Sequence, residues 1–336
     1  MKTLAQTPQL RPALCDPQLL KTNSFIANCW RDGASGQRID VMNPADGSTI
    51  ASVAALSSGE TREAVLAAAQ AFRSWSRSLP QQRAALLTAW HDMMIAHRED
   101  LALIMTLEQG KPISEARGEI DYAASFVSWY AAEAHRHNIE TVTSHLAGAD
   151  MRVTRVPMGV AALVTPWNFP SAMITRKAAA ALAAGCSCVV HPSKETPLSA
   201  LALAALARRA GFPPGVFNVV TGEPAEIVGA LTASPEVRVL SFTGSTEIGR
   251  LLYRQCAPTI KPLVMELGGH APFIAFADGD LERMVEHAVL AKFATSGQDC
   301  LAANRIYVER SIAEAFAKLF AARVAALTVG PGLSDP

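Results

Sequence analysis

The chain has 336 residues, half of them hydrophobic, and its 30 Lys and Arg balance 30 Asp and Glu to a formal net charge of zero. That balance gives no basic field for nucleic acid or an anionic membrane, and no apolar run reaches the roughly 18 residues of a spanning helix. The length favours two domains and at least one large core. The cysteines Cys15, Cys29, Cys186, Cys188, Cys256 and Cys300 are scattered, without C-x-x-C or H-x-x-x-H pairs, so neither a disulfide scaffold nor a metal site is expected. Residues 1–14 lack the continuous apolar segment of a secretory signal. The expectation is a soluble protein of the reducing cytoplasm.

Residues 25–53 alternate polar and apolar positions between turn signals at Asp32-Gly33, Asn43-Pro44 and Asp46-Gly47, the pattern of short strands joined by tight turns. Ser57 and Glu60 have capping-box spacing, and Val65, Ala68, Ala69, Phe72 and Trp75 follow at helical intervals. Pro80 starts a second helix through Trp90 and Met94. A third runs through Leu101, Ile104, Met105 and Glu108 to Gly110, and Pro112 opens a fourth through Tyr122, Phe126 and Tyr130. His135, His137 and His145 lack metal-ligand spacing and are expected on a solvated surface.

From Met151 the pattern changes to strands alternating with helices. Strands are predicted at 160–165, 188–190, 216–220 and 237–242, and helices at 171–184, 198–210, 223–231 and 245–255. This rhythm argues for a mostly parallel sheet covered by helices, whose ligands sit at the carboxyl ends of the strands. The positions to inspect are 165–168, 191–194, 221–223 and 243–245.

The chain contains no G-x-G-x-x-G and no P-loop. In a comparable strand-to-helix position stands the stretch from Phe242 to Gly249, where Gly244 would let backbone approach a diphosphate, and Ser245 with the free amides of the helix start would bind it. The same residues also read as an ordinary strand, turn and helix. Glu266, between apolar residues and before Gly268-Gly269, is either a local cap or a general base whose apolar neighbours raise its pKa. At 293–308 a helix-like segment breaks at Gly297 and delivers Cys300 just before an apolar strand. That thiol reads either as a small buried hydrophobe or as a partly exposed nucleophile.

Taken together, T-P-W-N-F-P at 165–170, F-T-G-S-T at 242–246, E-L-G-G at 266–269 and G-Q-x-C at 297–300, in this order with βα units between them, resemble the aldehyde dehydrogenase superfamily. The stretches 168–177 and 240–250 look most like its succinate-semialdehyde dehydrogenase branch. The resemblance covers almost the whole chain. It implies an α/β fold with a Rossmann-type parallel sheet in a cofactor domain at 1–137 and 157–264, oligomerisation strands at 138–156, and a catalytic domain at 265–336.

It also implies that Cys300 attacks an aldehyde as thiolate, that the Asn168 amide and the Cys300 backbone N–H hold the oxyanion, and that Glu266 activates the water that hydrolyses a thioester. The cofactor, NAD or NADP, would lie on Thr165, Pro166, Trp167, His191, Ser193, Lys194, Phe242, Gly244, Ser245, Ile248 and Leu267. Three departures stand out. His191 and Lys194 replace the usual lysine and frequent glutamate of the ribose site, which makes NADP as credible as NAD. Arg176 is present to pair a substrate carboxylate, but Ala294 replaces a second arginine, and Ala302 stands where some members carry a second cysteine. Members also continue beyond Pro336, so the resemblance implies a truncated chain with an incomplete catalytic domain. The expected activity is oxidation of succinate semialdehyde or a related ω-oxo acid by a homo-oligomer. An inactive nucleotide-binding fragment and a cofactor-independent cysteine esterase are the alternatives.

Overall fold

A computed structural model describes residues 13–136 and 139–334. The chain opens with a hairpin of β1 (Ser24–Ile26) and β2 (Cys29–Arg31) that turns on Ala27 and Asn28, both left-handed at φ 50° and 61°. A two-residue hairpin loop needs positive φ at both positions to match the strand twist. A second hairpin, β3 (Arg38–Met42) with β4 (Thr49–Ala54), turns where Asn43 and Asp46 were expected to bend the chain. Their side chains accept from the amides of Ala45 and Ser48 at 3.0 and 2.9 Å.

Four helices follow: α1 (Ser58–Trp75), α2 (Pro80–Ala96), α3 (Arg98–Gln109) and α4 (Ile113–Glu133). The Ser57 and Glu60 capping box forms as expected, each side chain bonded to the other's backbone amide, a device worth about 1 kcal/mol. Gly110 ends α3 at φ 91°, a conformation that favours glycine. An antiparallel pair, β5 (Ile139–Val142) and β6 (Met151–Thr154), stands apart from the main sheet. His135 and His145 are exposed, and His137 lies outside the described residues.

The alternating region runs β7 (Val160–Val164), α5 (Ala172–Ala184), β8 (Ser187–His191), α6 (Pro197–Arg209), β9 (Phe217–Val219), α7 (Pro224–Ala233), β10 (Val237–Gly244), α8 (Thr246–Cys256) and β11 (Leu263–Leu267). These strands join the first hairpin in one seven-stranded sheet of order β11-β10-β7-β8-β9-β1-β2, parallel from β11 to β9 and antiparallel beyond. Every residue of β7 is buried. Ala161 and Leu163 enter one core with α2 to α6, while Val160, Ala162 and Val164 enter another with α1, α7 and α8. Strands covered on both faces have no polar side, so they read as continuous apolar runs.

From β7 the chain builds outward through β8 and β9, then returns to the other side of β7 for β10. The carboxyl ends of β7 and β10 therefore flank a topological switch point, where open α/β sheets bind ligands. The division expected between residues 264 and 265 falls inside β11, which is hydrogen-bonded to β10 from Leu263 to Leu267. After it come β12 (Ala271–Ala275), α9 (Leu281–Phe293), β13 (Ala303–Val308) and α10 (Ala313–Ala325). β12 and β13 form a separate parallel pair, and Ala275, Val285, Ala288 and Phe316 make a third core under it. Among the described residues no helix is long and apolar enough to cross a membrane.

Candidate active site

A cleft of about 560 Å³ opens at the switch point, lined from the large sheet by Pro166, Trp167, Asn168, Phe169, Thr243, Gly244, Ser245, Glu266 and Leu267. Tyr122 comes from α4, Met173 and Arg176 from α5, and Gly297, Gln298, Asp299 and Cys300 from the loop after α9. Residues 130 positions apart thus meet: the Asn168 amide donates to the Gln298 carbonyl at 2.7 Å.

Cys300 is exposed, which settles the two readings of the thiol in favour of accessibility. The loop carrying it leaves α9 through Thr295, Ser296 and Gly297, all left-handed at φ 52°, 54° and 73°. A β-branched residue in that region is a strained outlier, held only where its surroundings over-determine it. One such tie is the Thr295 amide, which donates to the Glu115 carboxylate at 3.0 Å. Burial, then the charge and hydrogen bond of Asp299, push the Cys300 thiol pKa up, and Arg176 acts in the opposite sense.

Glu266 lies on the outermost strand and is exposed at the cleft, not enclosed by its apolar neighbours in sequence. Among the described residues no hydrogen bond or ion pair holds its carboxylate, which removes the local-cap reading. Its charge acts on Lys177, whose Nζ donates to Ser241 at 3.0 Å and whose pKa burial lowers to about 8. Arg176 lies over the Phe126 ring at 5.2 Å, with no carboxylate paired to it among the described residues.

Thr165 lies buried beneath the cleft, its amide on the His191 carbonyl at 3.1 Å. Among the described residues, the Thr165 and Thr243 hydroxyls are buried without a hydrogen-bond partner at the ends of β7 and β10. Gly244 is glycine because a Cβ there would meet the Phe242 ring at 2.4 Å. Ser245 caps α8, accepting from the Ile248 amide at 3.3 Å. Ile248 stands half exposed on the first turn of that helix. These groups fit a dinucleotide laid across the switch point.

The end of β8 and the residues after it carry His191, Ser193 and Lys194. His191 is buried and bonded through Nδ1 to the Val220 carbonyl at 3.1 Å, and burial lowers its pKa. It is a neutral interior donor, so the charge-assisted contact in question at 191 has no charged group to make it. Ser193 donates to Glu195, and Lys194 pairs with Glu223 at 3.7 Å.

Two carboxylates behind the cleft escaped the sequence reading. Glu119 is buried against Lys111, and one of its oxygens accepts from the Ser171 and Ala172 amides at 2.9 and 3.1 Å, at the start of α5. Glu108 accepts from the Leu198 and Ser199 amides at 2.7 Å each, at the start of α6. Burial raises both pKa values, that of Glu108 to about 8. The available signal was position: Glu119 falls on the apolar stripe of Ala116, Ile120, Ala123 and Val127, and Glu108 on that of Leu101, Ile104 and Met105.

A cysteine and a carboxamide thus line one cleft at the switch point of a mixed sheet. The chain belongs to the aldehyde dehydrogenase family, whose model matches residues 30–336. It is 51% identical to a 3-sulfolactaldehyde dehydrogenase of Pseudomonas putida over 95% of this chain and 66% of the relative. It is 50% identical to the NADP(+)-dependent succinate-semialdehyde dehydrogenase of Escherichia coli over 96% of this chain and 67% of the relative. The crystal structure of an aldehyde dehydrogenase from Brucella melitensis biovar abortus superposes with a TM-score of 0.94 at 52% identity, covering 96% of this chain and 67% of that one. The chain thus spans about two thirds of the length of these relatives.

Proposed function

We propose that this protein oxidises a small aldehyde carrying an anionic group, succinate semialdehyde or a related ω-oxo acid, to the carboxylate with NAD or NADP. The observation that carries the reading is the meeting of Cys300, Asn168, Glu266 and an uncompensated Arg176 in one cleft. Cys300 as thiolate attacks the carbonyl carbon, a C–S bond forms, and the aldehyde oxygen becomes an oxyanion. The Asn168 Nδ2–H and the Cys300 backbone N–H donate to it, an interaction worth about 3 kcal/mol of barrier. A bound NAD or NADP would supply the acceptor for the hydride that this carbon loses. Glu266 then accepts a proton from the water that attacks the thioester, and the thiolate leaves. Net, one aldehyde, one water and one oxidised cofactor give carboxylate, reduced cofactor and two protons.

Pro166, Trp167, Gly244, Ser245 and Leu267, which line the cleft, would hold the dinucleotide, together with Thr165, Phe242 and Ile248 near them in the chain. Ser193, Lys194 and the backbone at His191 would contact its ribose. The Lys194–Glu223 pair is exposed and therefore weak, so Lys194 is free to turn to a 2′-phosphate at little cost. That supports NADP as well as NAD. We assign the large sheet to cofactor binding, the segment carrying Cys300 to the catalytic domain, and the exposed β5–β6 hairpin to a subunit contact in a homo-oligomer. The six scattered free cysteines fit a reducing cytoplasm.

The test is steady-state oxidation of succinate semialdehyde against an uncharged aldehyde of similar length. Arg176→Gln should raise KM for the anionic substrate about tenfold or more, the loss of a charge-assisted bond, and leave the neutral one nearly unchanged. Equal effects on both would sink the carboxylate role, and no oxidation of either by the unaltered protein would sink the activity.

A further inference from the structure

We propose that Lys111 and Glu119 are positioning residues for the Asn168 amide, an inference that rests on the aldehyde-oxidation reading of the cleft. Asn168 belongs to the irregular segment between β7 and α5, so no ladder or helix fixes its backbone. Its carbonyl accepts from the Lys111 Nζ at 2.9 Å. Three and four residues on, the Ser171 and Ala172 amides donate to the same Glu119 oxygen at 2.9 and 3.1 Å. Lys111 and Glu119 are ion-paired to each other and buried. The pair therefore grips the segment on both sides of Phe169, whose ring lies 4.3 Å from the ammonium and whose side chain lines the cleft. Held this way, the Asn168 side chain reaches the cysteine loop at the Gln298 carbonyl, 2.7 Å away.

Stability alone does not account for such a pair. Burying two charges costs much of what their attraction returns, and apolar replacements are often neutral or better. A fixed ammonium against one carbonyl instead fixes the direction of the peptide unit from which the oxyanion donor projects. Displacement of a catalytic group by about 1 Å costs up to about a hundredfold in rate.

A double-mutant cycle between Lys111→Met and Asn168→Ala, read in kcat and KM for aldehyde oxidation, tests this. Loss of an oxyanion donor in Asn168→Ala should lower kcat about a hundredfold. Lys111→Met should lower kcat about tenfold or more with KM little changed, the pattern of an interaction made in the transition state. Because Lys111 acts through Asn168, the double variant should be no slower than Asn168→Ala alone. Cofactor affinity and the iodoacetamide rate at Cys300 should stay at their unaltered values. Independent losses that multiply in the double variant, or full kcat in Lys111→Met, would overturn the proposal. Unchanged kcat in Asn168→Ala would instead sink the reading of the cleft on which it rests. The variant Lys111→Met with Glu119→Gln guards against misfolding: it removes both charges, and the glutamine oxygen still accepts from Ser171 and Ala172. It should fold and show the same kcat loss, and unaltered kcat in it would equally overturn the proposal.

Discussion

Asp299 accepts a hydrogen bond from the Leu301 amide at 2.9 Å, bridging the turn whose middle residue is Cys300. The carboxylate that fastens the turn therefore lies beside the thiol and opposes its ionisation, adding to the effect of burial. Replacing Asp299 with Asn keeps an oxygen for the Leu301 amide and removes the charge. The expected outcome is a Cys300 pKa lower than in the unaltered protein, and hence faster alkylation by iodoacetamide at neutral pH. Alkylation rates measured from pH 6 to pH 10 check this, and an identical profile in both proteins would show that the charge does not reach the thiol.

Glu108 carries a second pH dependence, in stability. Its folded pKa is raised from 4.5 to about 8 by burial, while its carboxyl group accepts from two amides at the start of α6. Between those values the folded state holds a proton that the unfolded state has released, so this group's contribution is fully present below about pH 4.5 and is lost as pH rises through about 8. Glu108→Gln stays neutral and can still accept from the Leu198 and Ser199 amides. Its unfolding midpoint in denaturant should fall less than that of the unaltered protein between pH 6 and pH 9. Parallel pH profiles in the two proteins would contradict the assignment.

The βα rhythm from 160 to 255 was legible because β7, β8 and β9 are buried throughout and α5 is closed by a local signal, Gly185 in the left-handed region. The order of strands was not, since the return from β9 to the far side of β7 is decided by packing between residues distant in sequence. The same limit hid the place of Glu266, which reads as a carboxylate among apolar neighbours but sits on the outermost strand. His191 shows the reverse: the strand-end pattern suggests a ligand contact, but its ring turns to the Val220 carbonyl in the interior. Lys111 and Glu119 stand 8 residues apart, one before α4 and one inside it, and no short motif links them. Only the fold shows that they bury together behind Asn168.

Glu115 gives a last prediction, about the strained loop before the nucleophile. Its carboxylate receives the Thr295 amide at 3.0 Å, joining the first turn of α4 to the first of three left-handed residues. Nothing local favours that conformation at a threonine, so the long-range bond should help to hold it. Glu115→Ala leaves the amide without that acceptor, at a cost of about 1–2 kcal/mol, which corresponds to about tenfold easier local opening. Hydrogen exchange of the peptide spanning residues 294–300 should quicken by that factor, while exchange across β7 and β8 stays as it was. An exchange rate unchanged at 294–300 would mean that the loop keeps its left-handed run without help from α4.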